Sequence, residues 1–174
     1  LSDGRLQQQN GTAQLEAARN TLNSQQAHLD SSQAQTDQGY AQWNASKQEF
    51  DQKEQEYNSG AAQYEQGAAA LAQAKQQLAQ QKNAYAQLEA AGMGDEQTRL
   101  QLEAAEAQLA QQEQALEASR TQLAQAKVQL DNGRRELEAA KNQLDDAQAQ
   151  IDSGVSQLSS ARAQLDSQQA SLNA

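Results

Sequence analysis

The chain has 174 residues, neither proline nor cysteine, and a formal net charge of −10. Its acidity argues against nucleic-acid binding, because an acidic surface repels phosphates. The absence of cysteine excludes disulfides and thiolate metal sites. No apolar stretch approaches the roughly 20 residues of a membrane helix, so we expect no direct membrane insertion by this segment. Gln, Ala, Leu, Glu and Ser dominate and favour helix over sheet.

The first half of the chain carries large side chains at every seventh position. Three residues after each of them stands a second position, which is mostly small and includes Gly39, Gly60 and Gly67. A strict repeat of seven predicts a left-handed coiled coil. We therefore expect a first helical arm over residues 1–90, and we call its stripe of large and small positions the seam. The large positions are Leu15, Leu22, Leu29, Thr36, Trp43, Phe50, Tyr57, Tyr64, Leu71, Leu78 and Tyr85.

The repeat is interrupted at "EAAGMGDEQ", residues 89–97. Gly92 and Gly94 flank Met93, and Asp95 is a residue type that caps the start of a helix. This punctuation predicts a hairpin turn over residues 91–95, the tip of the molecule. Gly92, Met93, Gly94 and Asp95 are the candidate residues for binding a partner there.

The repeat resumes after the turn, three residues out of phase, and predicts a second helical arm over residues 96–174. Its large positions are Leu102, Leu109, Leu116, Leu123, Leu130, Leu137, Leu144, Ile151, Leu158, Leu165 and Leu172. The predicted fold is all-α: a long antiparallel two-helix coiled-coil hairpin with a heptad seam in which Leu lies opposite Ala or Gly. Together the two arms and the turn would form one coiled-coil domain.

An antiparallel hairpin also predicts which residues face each other, because facing residue numbers sum to about twice the turn position. A turn centred near residue 95 gives a sum of 190 and sets large positions of one arm against small positions of the other. The predicted pairs are Trp43 with Ala147, Phe50 with Ala140, Tyr57 with Gly133, Tyr64 with Ala126, Leu130 with Gly60, and Leu123 with Gly67. The structural seam residues are Trp43, Phe50, Tyr57, Gly60, Tyr64, Gly67, Leu123, Leu130, Gly133, Leu137, Ala140, Leu144 and Ala147.

Residues with catalytic or ligating chemistry are sparse. His28 is the single histidine and has no cysteine or second histidine as a co-ligand. The acidic residues are spread along the repeat, whereas acid–base catalysis needs a partly dry pocket. The seam spacing of the aromatic residues favours core packing over a ligand-stacking stripe. We therefore predict no enzyme activity, no catalytic residue, no metal site and no cofactor.

Two stretches carry a family resemblance: "QLDNGRRELEAAKNQLDDAQAQIDSGVSQLSSARAQLDS" (129–167) and "YNSGAAQYEQGAAALAQAKQQLAQ" (57–80). They resemble extracytoplasmic coiled-coil insertions of Gram-positive FtsX-like, MacB-type ABC transporter permeases. They are also similar to the coiled-coil loops of YhgE/Pip proteins and MMPL-type exporters. The resemblance implies a segment excised from a larger membrane protein, with the ATPase as a separate subunit. It further implies a non-catalytic stalk on the extracellular face of the membrane, which contacts a protein partner or a component of the cell envelope.

Two other functions remain open at this point. A free-standing structural coiled coil would complete the seam by parallel dimerisation, but it leaves the phase break at residues 89–97 unexplained. A partner-binding module would use the hairpin tip for recognition.

Overall fold

The fold consists of two α-helices joined by a short turn. The computed structural model describes residues 2–174; Leu1, the first residue of the expected arm, lies outside them. Helix α1 spans Ser2–Ala90 and helix α2 spans Glu96–Asn173, with no strand among the described residues. Both helices run without a break because no proline removes a backbone donor. The helices pack against each other, which confirms the predicted all-α helical hairpin.

The chain divides into two compact units. The turn unit, Gln48–Arg134, contains the turn and the adjoining parts of both helices. The end unit combines α1 up to Lys47 with Arg135–Ala174 and therefore holds both ends of the described chain. In each unit the core is the seam between a segment of α1 and a segment of α2.

The seam has the predicted burial pattern. Every large position from Leu15 to Leu172 is buried or partly buried. The small positions that hold Gly or Ala are mostly covered, whereas those that hold Gln25, Lys53 or Gln112 are exposed. Two helices cannot enclose a side chain on all sides, and no side chain among the described residues is less than 2 % exposed. The most buried apolar side chains are Leu15, Leu71, Leu78, Leu130, Ile151, Leu158 and Leu165.

The turn begins with a glycine in the left-handed conformation. Gly92 has φ of 77°, which only glycine adopts without strain. Its amide donates to the carbonyl of Glu89 at 3.0 Å, and the Met93 amide donates to the carbonyl of Leu88 at 2.9 Å. These two bonds form a Schellman motif, which satisfies the last carbonyls of α1 and ends the helix.

Asp95 starts α2 as its N-cap. One carboxylate oxygen accepts from the Gln97 amide at 3.2 Å, and the other accepts from the Thr98 hydroxyl at 3.1 Å. The Tyr85 hydroxyl donates to the Asp95 carbonyl at 2.8 Å and ties the turn back to α1. The turn thus occupies residues 91–95 with its backbone ends capped on both sides.

A leucine in place of a seam glycine should destabilise the hairpin. A Cβ built at Gly60 would lie 3.4 Å from Leu123 Cδ2, which is ordinary contact, so alanine fits but a longer side chain does not. We expect Gly60→Leu to lower the free energy of unfolding by about 1–3 kcal/mol, although leucine favours helix. The measurement is a denaturation curve followed by circular dichroism.

Gly4 supplies the control for this substitution. A Cβ at Gly4 would meet nothing within 4 Å, so Gly4→Leu should raise stability slightly through helix propensity alone. A Gly60→Leu variant that melted above the parent chain would refute close packing at this position.

Candidate functional site

The predicted pairing across the seam is wrong by one heptad. Cβ atoms built at seam glycines identify the side chain that covers each one, and in every case the two residue numbers sum to 183. The predicted sum of 190 is therefore incorrect, and so are its pairs: Trp43–Ala147, Phe50–Ala140, Tyr57–Gly133, Tyr64–Ala126, Leu130–Gly60 and Leu123–Gly67. The observed pairs are Gly11 with Leu172, Gly39 with Leu144, Gly60 with Leu123, Gly67 with Leu116, Gly133 with Phe50, and Gly154 with Leu29.

The cause of this error is the centre assumed for the turn, because a sum of 190 centres it on residue 95, which is the last residue of the turn. A shift of seven residues leaves large positions opposite small ones, so the seam does not distinguish the two registers. The turn selects between them, and Gly92 ends α1 earlier than a turn centred on residue 95 would require. All of the predicted seam residues are nevertheless buried or partly buried.

Ion pairs between the helices flank the seam in the turn unit. Lys75 pairs with Glu113 at 2.8 Å, Lys82 pairs with Glu106 at 3.1 Å, and Arg134 pairs with Glu54. In the predicted register Lys75 would instead have faced Arg120, a like charge. These flanking charges therefore identify the register from the sequence. The predicted pairs were chosen from the seam alone and did not take the charges into account.

Trp43 joins the two helices in the end unit through a polar contact. Its indole Nε1 donates to the carbonyl of Leu137 at 2.8 Å, and Lys141 Nζ lies 5.9 Å from the centre of the ring. Phe50, in the turn unit, covers Gly133 and has the Arg134 guanidinium 5.6 Å from its ring centre. Both aromatic side chains therefore pack between helices, as the seam spacing predicted.

A hydrogen-bond network lies beside Trp43. The Tyr40 hydroxyl donates to Asp145 at 2.6 Å, and Lys141 Nζ donates to the same carboxylate at 2.9 Å. The bond to Asp145 raises the pKa of Tyr40 from 10.0 to about 12. In return the Tyr40 hydroxyl and then Lys141 lower the pKa of Asp145.

A second polar link in the end unit joins Gln33 and Gln148. Each side-chain amide donates to the carbonyl oxygen of the other, at 2.9 Å and 3.0 Å. Among residues 2–174 no buried side-chain N or O atom lacks a hydrogen-bond partner. These polar contacts are therefore satisfied internally and hold the two helices together.

His28 borders a shallow groove of about 600 Å³ in the end unit. The lining of the groove is mainly apolar and contains one ionisable side chain, that of His28. Within the described part of the chain, no three His, Cys, Asp or Glu side chains are grouped so that they could hold a metal ion. The groove is lined by Thr21, Ser24, Gln25, His28, Leu29, Gly154, Gln157, Leu158 and Ala161.

The turn unit exposes three large apolar side chains close together in sequence. Leu88 is 47 % exposed, Met93 is 66 % exposed and Leu100 is 53 % exposed. We call these three residues the tip patch. Gly92, Met93, Gly94 and Asp95, the predicted partner-binding residues, are all exposed in the turn. Of these four, only Met93 offers a large apolar side chain.

Leu88 and Leu100 were not among the residues predicted at the tip. Leu88 occupies a seam position, but the position opposite it in the observed register is residue 95, in the turn, so no helix covers Leu88. Leu100 stands two residues before Leu102 and hence outside the seam frame. For Leu100, the sequence signal of exposure was a large apolar residue at a position outside the heptad frame.

The charges around the tip patch are mainly acidic. Glu89, Asp95 and Glu96 all lie within its span in the sequence. Arg99 is the nearby cation, and it is shared between Glu96 and Glu103, at 3.3 Å from each. The three exposed apolar side chains of the tip patch therefore stand among mainly acidic residues in the sequence.

These observations define the class of the protein as an antiparallel coiled-coil hairpin with an exposed turn. Comparison of the chain with protein-family models, with curated proteins and with solved structures finds no match. In the described residues, neither helix contains a stretch apolar enough to cross a membrane.

The Tyr40–Asp145 bond should make stability depend on pH at both extremes. Because the pKa of Asp145 is lowered, the bond stabilises the fold above the ordinary carboxyl pKa and is lost as pH falls through the lowered value. Because the pKa of Tyr40 is raised, the bond is complete below pH 10 and is lost as pH rises through about 12. Tyr40→Phe should therefore be less stable than the parent chain near neutral pH and should approach it at both limits.

Urea denaturation at a series of pH values measures this difference, and Tyr85→Phe is the control. The Tyr85 hydroxyl donates to a backbone carbonyl, which does not titrate in acid, so the effect of this substitution should not change below pH 4. A Tyr40→Phe effect that persisted undiminished at low pH would show that Asp145 is not the group responsible.

Proposed function

We propose that this chain is the non-catalytic extracellular stalk of a bacterial membrane protein, in which it presents the hairpin turn to a protein partner. The parent protein we propose is an FtsX-like ABC transporter permease with a separate ATPase subunit. The observation that carries the proposal is that the chain ends and the exposed apolar side chains near the turn belong to different units. The end unit holds both chain ends, and the turn unit holds the exposed tip patch.

The chain ends support an insertion into a larger protein. Leu172 covers Gly11, with Leu172 Cδ1 at 3.0 Å from a Cβ built on that glycine. Residues near the two ends therefore lie side by side. A segment with adjacent ends can be inserted between two elements of a host protein without separating them.

The tip patch supports contact with a protein. Large apolar side chains that are exposed near a turn are candidates for contact with a protein. The neighbouring acidic residues favour a partner with an apolar cleft and basic residues at its edge, and they disfavour anionic lipid. The presentation of a contact surface to a partner accounts for this architecture and requires no catalytic residue.

The same patch supports a second candidate function. A partner-binding module with no membrane attachment would use Leu88, Met93 and Leu100 in the same way. Such a module inside the cell would differ from the stalk in the side of the membrane on which the hairpin lies, and this difference can be measured.

Cysteine labelling of intact cells tests the location. The chain has no cysteine, so Ser59→Cys gives this segment a single, exposed thiol in the protein expressed in its own host, and the same protein without the substitution gives the background labelling. We expect a membrane-impermeant maleimide to label this thiol in intact cells. Labelling that required permeabilised cells would exclude the stalk and favour the intracellular module.

The control for this labelling is Leu15→Cys, because Leu15 is only 8 % exposed. It should react slowly both in intact and in permeabilised cells, and it then reports how far the hairpin stays folded. Rapid reaction at this position would show that the labelling reflects unfolded protein.

Replacement of the tip patch tests its role separately. The triple variant Leu88→Gln, Met93→Gln and Leu100→Gln should keep its helix content, since these side chains are exposed and contribute little to the seam. We expect proteins cross-linked to the hairpin in intact cells to be lost in this variant. The matched control carries Val128→Gln and Val155→Gln, which are also exposed but lie away from the turn in sequence. Equal cross-linking by the parent and the triple variant would refute the tip as the contact site.

A further inference from the structure

The seam is compatible with a second register. A shift of one heptad brings residue numbers that sum to 190 opposite each other and keeps every covered glycine of the turn unit under a large side chain. Gly60 would pass from Leu123 to Leu130, and Gly67 would pass from Leu116 to Leu123. Gly133 would exchange Phe50 for Tyr57 in the same shift.

Some of the polar contacts beside the seam also have an equivalent partner seven residues further along the facing helix. Tyr40 donates to Asp145, and seven residues later stands Asp152, whose charge already acts on the Tyr40 hydroxyl. Glu54 pairs with Arg134, and seven residues beyond that arginine stands Lys141. Both contacts would therefore find an equivalent partner after the shift.

Other flanking contacts favour the observed register. Lys75 would leave Glu113 and face Arg120, and Gln33 would leave Gln148 and face Val155. The losses are the exposed ion pair of Lys75, which is individually weak, and the partly buried amide pair of Gln33. In the end unit Gly154 would also exchange Leu29 for Thr36, and Leu172 would pass from Gly11 to Ala18. The seams of the two registers are therefore equivalent in the turn unit, whereas the contacts of the end unit favour the observed register.

The turn contains two sets of helix-ending signals. In the observed register Gly92 ends α1 and Asp95 caps α2. A second glycine, Gly94, follows two residues later, and Thr98 stands three residues after Asp95. Thr98 is followed three positions on by Gln101, the spacing of a capping box. A turn from Gly94 to Thr98 would lengthen α1 and shorten α2, as the shifted register requires.

We propose that the hairpin occupies two registers one heptad apart, the observed one and a second in which facing residue numbers sum to 190. The exchange slides one helix along the other by about 10 Å within each unit. It is a conformational change built into the repeat, and it is independent of the cellular role proposed above. A shift in the opposite direction is not part of the exchange, because its turn would centre on residue 88, where no glycine stands.

Disulfide trapping in the purified, dilute chain tests this proposal. The cysteine-free background allows three double variants that share Gly60→Cys. Leu123→Cys reports the observed register, Leu130→Cys the proposed one, and Leu116→Cys the shift in the opposite direction. The last two positions are equally far from Leu123 in sequence, so they form a matched pair.

We expect fast intramolecular cross-linking for Leu123→Cys, slower but complete cross-linking for Leu130→Cys, and little for Leu116→Cys. Equal rates for the last two variants would overturn the proposal, because local unfolding does not favour one direction. No cross-link in the Leu130→Cys variant would overturn it as well. A second set in the end unit combines Leu29→Cys with Gly154→Cys, Ala161→Cys or Ala147→Cys, and decides the question if Gly60→Cys prevents folding.

A charge reversal should shift the balance between the two registers. Lys75→Glu places a like charge opposite Glu113 in the observed register and an opposite charge facing Arg120 in the second one. We expect the cross-linking rate of the Leu130→Cys variant to rise by roughly twofold to fivefold, the size expected for exposed ion pairs.

Lys82→Glu is the control for this reversal. It makes the same change of charge but faces an acidic residue in both registers, Glu106 in the observed one and Glu113 in the second. It should therefore leave the ratio of the two cross-linking rates unchanged. An equal response to both reversals would contradict the proposed register.

Discussion

The fold depends on the packing of a large side chain over a small one across a seam of only two helices. Two helices expose most of their surface, so the free energy of their association must come from a narrow contact. Glycine and alanine at alternate seam positions let the helix backbones approach, and the leucines and aromatic rings of the facing helix fill the space. The close approach of Leu116 to Gly67 and of Phe50 to Gly133 illustrates this arrangement. The helix propensity lost at each glycine is thus offset by packing that a larger residue would prevent.

The repeat makes the fold predictable but conceals the register. Leucine or an aromatic residue at almost every seventh position predicts both helices, with Thr36 and Ile151 as the exceptions, and Gly92 with Asp95 predicts where the chain turns. The same periodicity makes a shift of seven residues invisible to any argument from the seam, which explains the error of one heptad. The information that resolves it is less regular: the charges of Lys75 and Lys82 and their acidic partners, and the left-handed conformation of Gly92. Irregular positions therefore carry the structural detail in a repetitive sequence.

In the candidate site, too, the structural detail comes from positions that the repeat does not predict. The turn was predictable because paired glycines are rare in this chain, yet glycine and aspartate contribute backbone shape rather than a contact surface. The surface comes from Leu88, which has no facing helix, and from Leu100, which lies outside the seam frame. Neither stands out by residue type, since leucine is abundant throughout. The exposure of Leu88 is a consequence of where the helices end, and it could be predicted only once the register was known.

The hydrogen bond from Trp43 to the carbonyl of Leu137 has a practical consequence. Trp43 is the single tryptophan of the chain, and it lies between the two helices of the end unit. Its indole is held by a facing backbone group, so its fluorescence depends on whether the two helices are in contact there. Backbone circular dichroism reports helix content wherever it occurs, including in helices that have separated. The two signals together distinguish separation of the helices from loss of the helices themselves. The molecule thus contains an optical probe of its own tertiary structure.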